Sequence, residues 1–350
     1  MSETEHNRIG EDPVLAARVR AGTDAAFTDA IEPFRRELRV HCYRMVGSFD
    51  EAEDLVQDTF TKAWRHRTGF EGRSTLRAWL YRIATNTCLD AIKAHRRRPV
   101  AAIGGAMDPC LDEVPWLQPF PDDLLDPSAH FGGDPAEAVV AQETIALGFL
   151  AAIQHLTPRP RAAVILRDVL GWSPSEIAYA LDGSVAAVNS ALQRGRARLQ
   201  EFGQSGRLAW TPVQPPTDEE QSMLQRYMDA HARSDADAVI ALLGPDVRFS
   251  MPPELARFEG RDAVAEFFRD VLGTASPGEW RLVPTRANGQ PAAANYVRRP
   301  GQTDFEAITF DVLRFDAGTL VEITTFGSDV FASFGLPTTL PNAEPHFTPR

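Results

Sequence analysis

Apolar residues recur at helical spacing through residues 13–98: Val14, Leu15 and Val19, then Phe27, Ile31, Phe34 and Leu38. Strand-like alternation is absent, so this stretch predicts an all-helical unit. Within it, residues 48–64 set Ala52, Leu55, Val56, Phe60, Ala63 and Trp64 along one helix face. Asp54, Gln57, Asp58 and Thr61 fall on the other, and acidic residues crowd the start, where the helix dipole favours them. A second amphipathic helix follows, with Leu76, Trp79, Leu80, Ile83 and Thr87 as its apolar edge.

Periodicity is lost from 99 to 135, where Pro99, Pro109, Pro115, Pro119, Pro121, Pro127 and Pro135 predict a linker with little regular structure. Trp116, Leu117 and Phe120 are its candidate docking residues. Helical spacing returns over 136–202. There Ser173, Pro174 and Glu176 form a capping box, Asp182-Gly183 breaks the helix, and Ser184 caps another starting at Val185. Two caps so spaced around a glycine turn predict a helix-turn-helix. On its second helix Val185, Val188 and Leu192 are expected to face inward.

A second Pro-rich break at 211–217 precedes a unit spanning 218–335. Helices are predicted at 223–232, 237–243 and 261–272, and strands at 280–285, 292–298, 306–315 and 320–326. Asp316-Ala317-Gly318 supplies the last turn, and helices followed by a run of strands mean α+β. The tail after Leu336 is expected to be unstructured.

The 350 residues carry a formal net charge of −12, which taken whole argues against a nucleic-acid partner. Resolved along the chain, the charge is −5 over 1–64, +7 over 65–98, −9 over 99–149, +3 over 150–210 and −8 over 211–350. Two basic islands therefore lie in acidic surroundings. Only Lys62 and Lys93 are lysines, so the positive charge is nearly all Arg. Cys42, Cys88 and Cys110 have no metal-ligand or redox spacing and fit a reducing compartment. No apolar run is long enough to span a membrane, and Met1–Glu11 is too polar for a signal peptide. A cytoplasmic protein without a cofactor is the expectation.

In the first island Arg73, Arg77, Arg82, Lys93, Arg96, Arg97 and Arg98 interleave with Trp79, Tyr81 and Asn86. Such a helix can grip phosphates and hold an unstacked base, although Trp79 fits a core position better than a stacking platform. In the second island Asn189, Ser190, Gln193 and Arg194 share one face, with Arg196 and Arg198 following. Amide, hydroxyl and guanidinium groups so placed can pair with base edges in a major groove. Taken singly, either helix is equally well explained as a solvated face.

Together, GSFDEAEDLVQDTFTKAW and FEGRSTLRAWLYRIATNTCLDAIKAHRRR resemble region 2 of the sigma-70 family, in its extracytoplasmic-function (ECF) branch. Residues 156–200 resemble region 4, the reader of the minus-thirty-five element. The resemblance implies that Asp54, Gln57 and Asp58 dock on the β′ clamp helices of core RNA polymerase, with the β flap and promoter DNA as further partners. It implies that Arg73, Arg77, Trp79, Arg82, Arg96 and Arg97 flank the melted minus-ten strand and that Asn86 lines the pocket for a flipped base. Asn189, Ser190, Gln193, Arg194, Arg196 and Arg198 would read the minus-thirty-five element. The linker would thread the polymerase channels. Its acidic groups, Asp122, Asp123 and Asp126 among them, are also expected to shield the basic islands in the free protein. Two positions depart from the region 4 pattern. Pro160 stands where the family commonly carries Gln, and Gly195 lies inside the recognition helix, as a close approach to DNA or as tolerated drift.

The third unit resembles the SnoaL-like branch of the NTF2-like superfamily, a curved sheet and helices enclosing a cone. The whole chain is similar to the sigma-J and sigma-G types of ECF factor. That implies two all-α sigma domains and a C-terminal α+β cone that is autoregulatory or senses a small-molecule ligand. Asp229, His231, Asp311 and Arg257 are its candidate pocket residues. Two rivals remain at this point: a stand-alone helix-turn-helix regulator of duplex DNA, and a small-molecule enzyme with a helical regulatory appendage. Co-purification with core polymerase would separate the first, and a ligand beside Asp229 or His231 would favour the second.

Overall fold

Ser48 accepts a hydrogen bond from the Glu51 amide at 3.2 Å and so starts the acidic amphipathic helix where the sequence places it. The computed structural model describes residues 19–20, 23–72, 74–95, 114, 116–125, 146–204, 217–254, 256–274 and 276–342, with the side chains of 95, 202–204 and 274 excepted. The chain forms two compact units, Met1–Ala106 with Gly148–Ala209, and Met107–Leu147 with Trp210–Arg350. The expected helical residues 136–145 lie outside the described residues.

In the first unit, α1 (Asp24–Ile31), α2 (Arg35–Val46), α3 (Phe49–His66) and α4 (Leu76–His95) form the region 2 part. The predicted face of α3 is buried through Ala52, Leu55, Val56, Phe60 and Ala63, joined by Phe49 and Thr59, while Trp64 is half-buried. Cys42 and Cys88 are buried free thiols, and Cys110 lies outside the described residues. The region 4 part comprises α5 (Leu147–Gln154), α6 (Pro158–Val164), α7 (Pro174–Ala180) and α8 (Val185–Gln204). The capping box of Ser173 and Glu176 is formed, and Ser184 caps α8 by accepting from the Ala187 amide at 3.2 Å. Between them Asp182 takes a left-handed φ of 48°.

Both departures in region 4 have local explanations. Pro160 is the third residue of α6, where the amide has no intrahelical partner, so its missing N–H costs no hydrogen bond. At Gly195 a Cβ would lie 2.7 Å from Val164 Cγ2 and 3.4 Å from the Pro160 carbonyl oxygen. This glycine is therefore a packing requirement where α8 crosses α6, and neither of the two sequence readings holds. Overpacking there outweighs the roughly 1 kcal/mol of helix propensity that Gly forgoes relative to Ala.

The two helical parts are tied at the end of α2. Its last carbonyls lack intrahelical partners, and α5 and α6 supply them. Gln154 Nε2 donates to the Arg44 carbonyl at 3.1 Å. Buried Arg161 donates through Nη1 to the Met45 carbonyl and Gln154 Oε1, and through Nη2 to the carbonyls of Gln154 (2.6 Å) and Leu156 (3.1 Å). Gly47 ends α2 with φ 79°, and a Cβ there would press on the Gln154 side chain at 3.2 Å.

The second unit has the order α9 (Asp218–Ala232), α10 (Ala236–Leu242), β1 (Leu243–Ser250), β2 (Arg257–Glu259), α11 (Arg261–Arg269), β3 (Glu279–Ala287), β4 (Gln290–Arg298), β5 (Phe305–Asp316), β6 (Thr319–Gly327) and β7 (Thr339–Leu340). The sheet runs β2-β1-β6-β5-β4-β3, with β7 on β5, and is antiparallel except for β1 beside β6. The four expected strands are β3 to β6, each slightly longer than predicted. Strands β1 and β2 were not foreseen, because only Val247 and Phe249 alternate inward on β1. Strand β7 lies in the tail expected to be unstructured, held by the register Phe305↔Leu340. Helices α9 to α11 and the sheet share a core of Tyr227, Val239, Val264, Phe268, Trp280, Leu313 and Ile323.

Part of the linker belongs to this unit. Leu117 and Phe120 are buried, whereas Trp116 is 45% exposed. Residues 122–124 form a 3-10 turn, so the segment is less irregular than its prolines suggested.

Arg161→Met should lower the stability of the helical unit by about 3 kcal/mol or more, since it leaves several buried carbonyls unmatched. Urea denaturation followed by far-UV circular dichroism measures it; a loss below about 1 kcal/mol would show that the tie is dispensable.

Candidate nucleic-acid interface

A cleft of about 570 Å³ lies between the end of α3 and the middle of α4, lined by Lys62, Arg65, His66, Trp79, Arg82 and Asn86, among others. Lys62 Nζ donates to Thr87 Oγ1 at 3.1 Å, which orients the last turn of α3 toward α4. Asn86 is half-buried and donates to the Arg82 carbonyl one turn earlier at 3.0 Å, and to the Ala180 carbonyl at 3.2 Å. Arg82 pairs with Asp182, and its guanidinium lies 4.4 Å from the Tyr179 ring centroid. Cations from both helices and the Asn86 amide line the cleft, with Asp90 and Asp182 paired to Lys62 and Arg82; such groups can contact a single strand and a base turned in.

Several residues expected in this group have other positions. Trp79 is 8% exposed and packs on Phe70 at 5.0 Å, so most of its ring serves the core and only an edge reaches the cleft. Arg77 donates to Glu37 Oε2 at 2.8 Å and lies over Tyr81, whose hydroxyl donates to the same oxygen at 3.2 Å. It ties α4 to α2, and Tyr81 is buried with it. Arg73, Arg96 and Arg97 lie outside the described residues. Lys62, Arg65 and His66 were missed. Their signal was the basic last turn of α3, which is legible only once α4 is known to pack beside it.

Buried His41 closes the other side of α4 by bonding Thr85 Oγ1 at 2.9 Å. Burial, with Arg44 and Arg77 nearby, pushes its pKa down to about 3, so the ring is neutral and structural.

On α8, Asn189, Ser190, Gln193, Arg194, Arg196 and Arg198 are all exposed. Arg194 Nη1 donates to Ser190 Oγ at 2.6 Å. Arg196 Nε donates to Asp168 at 3.0 Å, and this bond raises its pKa. Arg198 pairs with Glu201 at 2.6 Å. Such exposed pairs contribute little stability and exchange readily for phosphate. Val188 and Leu192 are buried as expected, but Val185 is 44% exposed and joins the outer face. On α3, Asp54, Gln57 and Asp58 form an exposed polar stripe.

The cone candidates divide. Asp229 is exposed and accepts from Gln225 at 2.8 Å, and Arg257 pairs with Glu259 on the edge strand β2, so neither faces the interior. Asp311 and His231 are buried around Tyr227. Asp311 accepts from Tyr227 Oη (2.9 Å), Asn295 Nδ2 (2.7 Å) and Thr325 Oγ1 (2.6 Å). His231 Nδ1 bonds the Tyr227 carbonyl at 3.2 Å, and burial lowers its pKa despite the nearby Asp311 charge. Three donors converge on this buried carboxylate and fix Tyr227, Asn295 and Thr325 around it. Tyr227, Asn295 and Thr325 were not singled out from the sequence, because strand pairing brings Asn295 and Thr325 to Asp311 and the packing of α9 on the sheet brings Tyr227. Among the described residues no helix is long and apolar enough to cross a membrane.

The Sigma-70 region 2 family matches residues 30–98, the Sigma-70, region 4 family residues 147–199, and the SnoaL-like domain residues 224–323. The ECF RNA polymerase sigma factor SigG of Mycobacterium tuberculosis is 41% identical over 339 residues, covering 95% of this chain and 88% of SigG. The ECF RNA polymerase sigma factor SigJ of the same organism is 28% identical over 259 residues, covering 71% of this chain and 73% of SigJ. The crystal structure of SigJ has the same fold, with a TM-score of 0.55 at 22% identity over 89% of this chain and 99% of that one. The 41% identity to SigG over nearly the whole length places this chain in the ECF branch of the sigma-70 family of RNA polymerase sigma factors.

Proposed function

We propose that this sigma factor docks core RNA polymerase through Asp54, Gln57 and Asp58 of α3, holds the melted minus-ten strand at Arg82 and Asn86, and reads the minus-thirty-five element with the exposed face of α8. The β′ clamp helices are the proposed partner of α3, and the β flap that of region 4. The observation that carries this reading is the α3–α4 cleft, where Lys62, Arg65 and Arg82 surround the Asn86 amide. A narrow cleft with three cations, two of them held by Asp90 and Asp182, beside a half-buried amide suits a single strand rather than a duplex. Arg77 is left out of the contact set because Glu37 already holds it.

The C-terminal domain is proposed to regulate rather than catalyse, by holding the linker. The turn between β3 and β4 is Asn288-Gly289, with φ of 56° and 73°, as a two-residue hairpin requires. Phe120 N–H donates to Asn288 Oδ1 at 2.8 Å, and Asn288 N–H donates to the Phe120 carbonyl at 2.9 Å. Asp122 accepts from Gly289 N–H at 2.7 Å and from Arg286 Nε at 3.1 Å. Burial raises the Asp122 pKa to about 6 against the pull of those two donors. Asp122 is thus committed to the hairpin and not free to shield the basic islands; Asp126 lies outside the described residues. A linker held here is withheld from the polymerase channels until the clasp opens.

Asp54→Arg with Asp58→Arg should weaken binding to core polymerase at least about tenfold, since like charge replaces opposite charge across the contact. Size-exclusion co-elution and anisotropy with labelled sigma factor measure this, and undiminished binding would remove α3 from the polymerase contact. Asn288→Gly preserves the turn but deletes the acceptor for Phe120. It should raise cleavage of residues 114–125 by a nonspecific protease several-fold and change transcript yield from reconstituted holoenzyme on a genomic library. Unchanged yield with a released linker would leave the clasp without a regulatory role.

A further inference from the structure

The three contacts that region 4 makes with Arg82 and Asn86 have the chemistry of a nucleotide. The Asp182 carboxylate faces the Arg82 guanidinium as a phosphate would. The Tyr179 ring stacks on the same guanidinium at 4.4 Å as a base would, although its side chain is 43% exposed. The Ala180 carbonyl accepts from Asn86 Nδ2 at 3.2 Å as a base-edge oxygen would. All three groups come from four consecutive residues at the end of α7. The left-handed φ of 48° at Asp182 is what turns the chain there. The Asp182 side chain is 61% exposed and lines the cleft, so the pair lies at its mouth and can open without disturbing a core.

We propose that residues 179–182 are an internal mimic of the promoter strand, occupying the Arg82–Asn86 site in the free chain and competing with single-stranded DNA for it. The helix-turn-helix turn and the minus-ten strand then exclude each other at Arg82, so DNA capture requires residues 179–182 to release Arg82 and Asn86. The inference rests on the assignment of Arg82 and Asn86 to the melted strand.

The test is fluorescence anisotropy of a labelled single-stranded 20-mer of mixed sequence, titrated with the full-length chain over a range of salt concentrations. Asp182→Asn removes the charge and keeps a residue that tolerates positive φ; Asp182→Gly does the same without a side chain. Both should tighten binding about fivefold, the upper range for freeing a part-exposed ion pair. They should also steepen the slope of log K against log salt by about 0.7, one additional phosphate contact. Asp29→Asn, an exposed site on α1, removes the same charge elsewhere and should change affinity less than about twofold. Adding Arg82→Met to Asp182→Asn should abolish both gains. If the Asp182 variants match Asp29→Asn while Arg82→Met alone weakens binding, the mimic is overturned and the strand assignment stands. If Arg82→Met has no effect in either background, the strand assignment fails, and the mimic fails with it.

Discussion

The buried guanidinium of Arg161 is the contact on which the helical unit depends. A helix end leaves its last carbonyls without partners, and burying them unmatched would cost more than the surrounding packing returns. Helix α2 ends inside the unit, and Arg161 with Gln154 supplies the missing donors from a segment more than a hundred residues later. A cation at that end also opposes the negative pole of the helix. The two sigma regions are therefore joined by hydrogen bonds that neither could make alone. Gly47 follows from the same constraint, because it must both turn the chain left-handed and leave room for the Gln154 side chain.

Joining the regions brings the end of α7 onto α4, the helix with the richest DNA-binding chemistry. Stability and readiness are then set by different contacts. The Arg161 tie is buried and strong, whereas the contacts at Arg82 and Asn86 lie at a surface and exchange easily. The second unit has a comparable division. Its core and the three-donor arrangement at Asp311 are interior, while the Asn288-Gly289 turn holds the linker by a few polar contacts at one hairpin. In the first unit the contacts at Arg82 and Asn86 lie near the surface, whereas in the second the linker is held by buried Phe120 and Asn288 as well as by Asp122.

Much of this was legible from pattern. The stripe on α3, the capping box at Ser173, the break at Asp182-Gly183 and the strands β3 to β6 each rest on residues near in sequence, where period and cap chemistry decide the outcome. Errors arose where a distant partner decided. Arg77, expected at the strand, is held by Glu37 in this fold, and Val185, expected to face inward, lies outside on α8. Asp229 and His231 sit two residues apart on α9, which turns them about 200° from one another, so one faces solvent and the other the core. The Asn288-Gly289 dipeptide was a readable hairpin signal, but nothing local says that a linker docks on it.

The sequence by itself determined the family, the helical units, the strands β3 to β6, and the division of charge into two basic islands set against an acidic linker and C-terminal unit. These depend on residue types at short spacings, and each element carries its own signal. Tertiary structure decided which charges are available. Arg77, Arg82, Arg196 and Asp122 are all charged residues, yet one is locked to a buried carboxylate, two hold exposed partners, and one is bound to a hairpin. A charge's function depends on what lies within a few ångströms of it. For these residues the neighbour is 28 to 164 positions away in the chain, beyond the reach of any local pattern.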